Sequence, residues 1–243
     1  MATSEASGGR AAFVLGLVAA ALFVLGPAAA FIGLASAMTG FGIFGLAGLL
    51  ALITVLIAAG TMLRSGFDAA KSGLAIGATM VILFMIVAMP GCGVPRINDI
   101  TTDMANPPAF VHAGTIAANQ GRDMSYPGES FAAQQRDAYP EVAPLTVAQD
   151  PAVVFATVER TVRATPRWEV TRLDAERREL EGVETSRVFR FKDDFIVQVQ
   201  SGADGGSVVQ MRSKSRDGKS DIGANAARIE QFFTRLRAEL DAG

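Results

Sequence analysis

For its first ninety residues the chain is almost a continuous run of apolar and small side chains. Between Arg10 and Arg96 the only charged side chains are Arg64, Asp68 and Lys71. A bilayer's hydrocarbon core is about 30 Å thick and takes roughly 20 helical residues to cross. Residues 11–38, 41–63 and 73–89 are each long enough, or nearly so, to form a transmembrane helix. None contains Asp, Glu, Lys, Arg or His, whereas transport or proton relay usually leaves such a group within the membrane. Residues 1–94 therefore read as a three-span anchor. Gly42, Gly45 and Gly48, with Gly73 and Gly77, fall at spacings that let helices approach closely in lipid. They fit packing of the spans on one another, or docking onto another membrane protein.

After residue 94 the pattern changes. Pro90, Pro95, Pro107 and Pro108 favour extended chain, and Asn98, Asp99, Thr101, Thr102, Asp103 and Asn106 favour turns. Residues 110–148 are rich in Ala, Gln, Gly and Pro with little periodicity, so they read as an irregular wrapping segment or a mobile linker. Asp150-Pro151 is a strong helix start; Val154, Val158 and Val162 mark one face of a helix over 151–164. Strands are expected at 168–174, 176–184, 188–191, 195–200 and 208–215, with a turn at 202–206. A last helix over 222–240 places Ile222, Ala226, Ile229, Phe233, Leu236 and Leu240 on one side. The expected fold is an α-helical membrane anchor followed by an α+β soluble domain over 95–243, an antiparallel sheet with helices packed on one face.

Charge then sets the expected orientation. Arg10, Arg64 and Lys71 favour the cytoplasmic side, which puts the N-terminus inside and the soluble domain outside the cytoplasm, periplasmic in a Gram-negative bacterium. A rival reading makes the first span a cleaved signal peptide; the soluble domain is extracytoplasmic in both. Of 22 Lys+Arg and 24 Asp+Glu, all but Arg10, Arg64, Lys71, Glu5 and Asp68 lie beyond residue 95, leaving 19 against 22. That balance argues against a nucleic-acid surface. Cys92 is the only cysteine and His112 the only histidine, too few for most zinc sites, and no cofactor is implied. Cys92 reads as a plain juxtamembrane thiol rather than a lipidated one.

The candidate chemistry gathers late in the chain. In a strand, Arg212, Lys214 and Arg216 share one face, and Ser213 and Ser215 share the other with Val209 and Met211. This basic stripe leads into a helix N-terminus, a plausible site for an anion or a lipid headgroup. The structural alternative pairs Arg212 and Arg216 with Asp193, Asp194, Asp221 or the acidic turn at Asp99–Asp103. Asp193 and Asp194 are adjacent and point to opposite faces, so they do not form a facing acid–base pair. Lys214 likewise diverges from Ser213 and Ser215 and does not activate them directly. His112 reads as a surface histidine.

The chain resembles the uncharacterised family catalogued as domain of unknown function 1499. The resemblance rests on 97–103 (Ile-Asn-Asp-Ile-Thr-Thr-Asp) with Pro107-Pro108, on Phe191 with Asp193-Asp194, and on 212–216 (Arg-Ser-Lys-Ser-Arg). Gly218, Asp221, Gly223, Asn225 and Arg228-Ile229 complete it. Family members often carry a small residue where Lys214 stands. The resemblance implies a domain boundary near residue 95 and an occasional link to membrane anchors, and it brings no established activity. Two readings follow. One is a binding or assembly module for a membrane or envelope protein partner or an anionic ligand. The alternative is an extracytoplasmic hydrolase or transferase. The alternative would use Asp193, Asp194 and the cluster at 212–225; the whole ligand or structural cluster is Asn98, Asp99, Thr102, Asp103, Asp193, Asp194, Arg212, Ser213, Ser215, Arg216, Asp221, Asn225 and Arg228.

Overall fold

The computed structural model describes residues 2–91 and 93–242; Cys92 lies outside the described residues. The chain forms two compact units. One holds the N-terminal helices together with Arg187–Arg190, and the other holds the rest from Gly93 onward.

The first unit contains α1 (Ala2–Phe31), α2 (Ala37–Ser65) and α3 (Lys71–Ala88). Each includes an apolar stretch long enough to cross a membrane: Ser7–Phe31, Ala37–Ser65 and Lys71–Ala88. At 1.5 Å per residue even the 18 residues of α3 reach about 27 Å. The first connection is 32–36, not Thr39-Gly40 as the sequence suggests. Ser36 caps α2 by accepting from the Thr39 N–H at 3.1 Å, which draws Thr39 and Gly40 into the helix. Across the three helices Phe44 meets the ring of Phe23 tilted, with centroids 5.0 Å apart, and stacks on that of Phe84 at 5.1 Å. Close approach explains two glycines: a Cβ at Gly48 would lie 2.6 Å from the Phe84 ring, and one at Gly73 would lie 2.7 Å from Ala12 Cβ. Gly42 and Gly45 meet nothing within 4 Å, so the three-residue glycine spacing is only partly a packing seam.

The second unit is built on one six-stranded antiparallel sheet. Its strands are β1 (Asp99–Thr101), β2 (Leu145–Val147), β3 (Trp168–Asp174), β4 (Glu179–Thr185), β5 (Lys192–Ser201) and β6 (Ser207–Ser215). The order is β1-β6-β5-β4-β3, and β2 pairs the other end of β6. The helices are α4 (Glu129–Ala138), α5 (Pro151–Ala164) and α6 (Ala224–Ala242). The α5 bounds match the sequence reading because both start signals operate: Asp150 Oδ1 accepts from the Ala152 N–H at 2.8 Å, and Pro151 takes the first helical position.

Three expectations are corrected. Residues 110–148 are not wholly irregular, since they include α4 and β2; both are too short for their periodicity to stand out. Residues 188–191 form no strand. They belong to a hairpin turn in which the Ser186 N–H donates to the Phe191 carbonyl at 2.7 Å and Arg190 takes a left-handed φ of 64°. In α6 the fully buried ring is Phe232, with Phe233 only partly buried. Ile222 is exposed ahead of the helix with φ 57°.

Alternation along β5 and β6 gives the sheet two unlike faces. Phe195, Val197, Val199, Val209 and Met211, with Leu180 and Ile100, face a core completed by Val154, Val158 and Val162 of α5 and Ile229, Phe232 and Leu236 of α6. Trp168 rests on Phe195 with centroids 4.4 Å apart. The opposite face carries Glu181, Asp194, Ile196, Arg212 and Lys214, all buried. Charges can be buried there only because residues 102–128 run across them as a cover.

Candidate functional site

β1 brings Asp99 opposite Lys214, and Thr101 opposite Arg212, on β6. Arg212 donates to Asp99 through two parallel hydrogen bonds, Nε to Oδ1 and Nη2 to Oδ2, both 2.8 Å. It also donates to the carbonyls of Pro108 (3.2 Å) and Met124 (3.0 Å) in the cover. Its guanidinium lies 4.9 Å from the Phe110 ring centroid and 5.7 Å from that of Tyr126, close enough for cation–π attraction. Lys214 Nζ reaches Asp99 Oδ2 at 2.7 Å. The position at which the chain departs from its family resemblance thus shares the same buried carboxylate.

Asp194 forms a second centre on this face. Arg216 donates to both its oxygens at 2.9 and 2.6 Å, and Asn119 of the cover donates to Oδ2 at 2.8 Å. Arg122 clamps the cover further by donating to the carbonyls of Arg216 and Ser215. Glu181 accepts three backbone N–H groups, from Val111, His112 and Ala113, each at 2.9 Å. The Gln135 side chain mimics a strand partner for Thr101, accepting from its N–H at 3.1 Å and donating to its carbonyl at 2.6 Å.

The helix-side face of β6 carries a separate network. Arg228 of α6 donates to Asp193 Oδ2 at 2.5 Å, to Ser213 Oγ at 2.7 Å, and to Glu184 and Asn225 Oδ1. Asn225 Nδ2 donates to Ser215 Oγ at 3.0 Å, and its Oδ1 accepts from the Ser213 hydroxyl. Asp193 and Asp194 therefore serve opposite faces, as strand alternation requires.

Four of the candidate residues do other work. Among the described residues Asp221 pairs with no arginine; it caps α6 by accepting from the N–H groups of Gly223 (2.8 Å) and Asn225 (3.0 Å). Burial raises its pKa above the ordinary carboxylate value, against the opposing pull of those N–H groups. Asp103 accepts from Ala105 and Asn106 in its own turn and from Gln210 Nε2 at 3.1 Å. Thr102 Oγ accepts from the Met211 N–H, and Asn98 Nδ2 donates to the Gly218 carbonyl. Glu181, Glu184, Asn119, Arg122 and Gln135 are not among the sequence-derived candidates. The partners given above for them lie 34 to 94 residues away along the chain, so no local spacing points to that role.

The serines and carboxylates proposed as catalytic are thus enclosed and hydrogen-bonded, and no hydroxyl among them is aimed at a base. Among the described residues no group of three His, Cys, Asp or Glu side chains is placed to hold a metal ion. Asn119 Oδ1, Gln210 Oε1 and Tyr139 OH are buried without a protein partner, places suited to single bound waters.

Burial and the Asp99 charge push the Tyr126 phenol up to about 12, and burial raises Tyr139 as well. An unfolded chain releases these protons near pH 10. Between pH 10 and 12 the unfolded state then binds fewer protons than the folded state, so stability falls as pH rises through that window. Because Tyr126 and Tyr139 are the only tyrosines, absorbance at 295 nm is expected to rise together with loss of the circular-dichroism signal. Phenol ionisation near pH 10 with the fold intact would contradict this.

Fold and site define an α+β domain, preceded by three helices long and apolar enough to cross a membrane, whose central sheet packs an apolar core on one face and buries paired charges on both. The chain belongs to the family described as "Protein of unknown function (DUF1499)", whose model matches residues 99–236, more than half the chain. No curated protein sequence matches it.

Proposed function

We propose that the chain is a membrane-tethered binding module that holds a protein partner on the outer face of the membrane. The observation that supports it is the closure of the ionic cluster. Arg212, Lys214, Arg216 and Arg228 are all tied to carboxylates inside the domain. This weighs against the basic stripe as an anion site and against the hydrolase alternative, whose serines and carboxylates are hydrogen-bonded within the domain. Recognition then falls to the exterior. β3 is the outermost strand of the sheet, and among the described residues no strand pairs with its outer edge. Such an edge can accept an extended segment of another protein by strand addition. Arg10, Arg64 and Lys71 support an outer location, because they flank the span ends opposite the one from which the domain emerges.

The test is a photo-crosslinking side chain placed at Glu169 or Leu173 on β3, with Gln231 on α6 as the control, in intact cells. A discrete protein adduct from the β3 positions and none from Gln231 is expected. Equal labelling at all three sites would refute the edge. Failure of a membrane-impermeant reagent to reach a cysteine placed at Gln231 would refute the outer location.

A further inference from the structure

The turn of the β4–β5 hairpin, Arg187–Arg190, clusters with the membrane helices. Phe189 sets its ring against Phe41 (5.3 Å, edge-on) and Phe44 (5.6 Å) of α2. The Arg190 guanidinium lies 5.9 Å from the ring of Phe31, the last residue of α1. Beside it runs an open groove of about 390 Å³ lined by Pro27, Ala28, Phe31, Ile32, Arg187 and Val188. Its walls are apolar and solvent-facing, with Phe31 59%, Ile32 65% and Val188 47% exposed. Arg187 and Arg190 are exposed too, and among the described residues no salt bridge includes either of them. Every cation of the ionic cluster is neutralised; these two are not.

We infer that this groove is a binding site for an anionic phospholipid. It lies at the end of a membrane-crossing helix, where the surrounding medium passes from hydrocarbon to headgroup. An apolar slot there suits an acyl chain, and two guanidinium groups at its rim match a phosphate diester, which arginine binds through paired hydrogen bonds. A soluble phosphate would leave the apolar walls unused. A cation near an anionic lipid surface contributes about a fivefold gain in binding, so two arginines together give a preference of about 25-fold over a zwitterionic lipid.

The full chain in detergent would be titrated with phosphatidylglycerol and with phosphatidylcholine, and retained lipid read by native mass spectrometry. Preferential retention of phosphatidylglycerol is expected. The double variant Arg187→Gln/Arg190→Gln should lose that preference, while Arg64→Gln, at the far end of α2, should keep it. Val188→Asp should weaken both lipids. These side chains are exposed, so the variants are expected to fold, which circular dichroism checks. The inference fails if the wild type retains both lipids equally, if the double variant keeps the preference, or if excess glycerol phosphate displaces the lipid.

Discussion

Asp99→Asn is expected to destabilise the domain by about 5 kcal/mol, the upper end of the range for breaking a buried ion pair from one side. The carboxylate is fully buried and holds two cations, Arg212 with 2% and Lys214 with 8% of the side chain exposed. An amide of the same shape leaves both in a low-dielectric setting with no counter-charge. The loss is read from urea unfolding of the full chain in detergent, followed by fluorescence of Trp168. This is the only tryptophan, and it packs on Phe195 in the domain core. Replacing Asp99, Arg212 and Lys214 together by apolar residues of similar volume should cost less than Asp99→Asn alone, because no charge is then stranded. A change below about 1 kcal/mol for Asp99→Asn would mean the cations find solvent or other partners.

Glu181→Ala should have the next largest effect, about 3 kcal/mol, and a local one. The side chain is fully buried and gathers the N–H groups of Val111, His112 and Ala113, with Arg172 3.7 Å away. Each buried donor left without an acceptor costs about 1–3 kcal/mol, reduced where the half-exposed cover lets water in. The consequence is release of the cover rather than global unfolding. Limited trypsin digestion reports it directly. Arg122 is held by the Ser215 and Arg216 carbonyls, and cleavage after it should be slow in the wild type and fast in Glu181→Ala. Unchanged cleavage would mean that Glu181 does not hold the cover.

Much of the architecture was legible along the chain. The apolar runs identify, by length alone, three helices able to cross a membrane. Asp150-Pro151 fixes the start of α5, and period-two alternation predicts that Arg212 and Lys214 share a face opposite Ser213 and Ser215. The same alternation correctly separates Asp193 from Asp194. What stayed hidden was non-local. Whether Arg212 faces a ligand or Asp99 depends on the path of a chain that separates them by 113 positions, and neither charge nor spacing reports that path. Residues 102–128 lack periodicity because their bonds are short local turns and long-range ties to the sheet beneath them, not a repeating ladder. Composition alone leaves open a wrapping segment or a linker there; the bonds from Val111, His112, Ala113 and Asn119 to the sheet are those of a wrapping segment. The turn at Arg187–Arg190 was misread for a different reason: Val188 and Phe189 favour a strand, and the left-handed φ of Arg190 has no sequence signature.

In this structure the polar face of the sheet is a closed clasp under residues 102–128. Amide hydrogen exchange on the full chain tests it most directly, at Val111, His112 and Ala113, whose N–H groups end on Glu181, and at Thr101, whose N–H ends on Gln135. The structure predicts protection of these amides approaching that of β5 and β6, despite their position outside long strands or helices. Exchange at the rate of a free loop would contradict the clasp and return Arg212, Asp99 and Asp194 to the status of an accessible site.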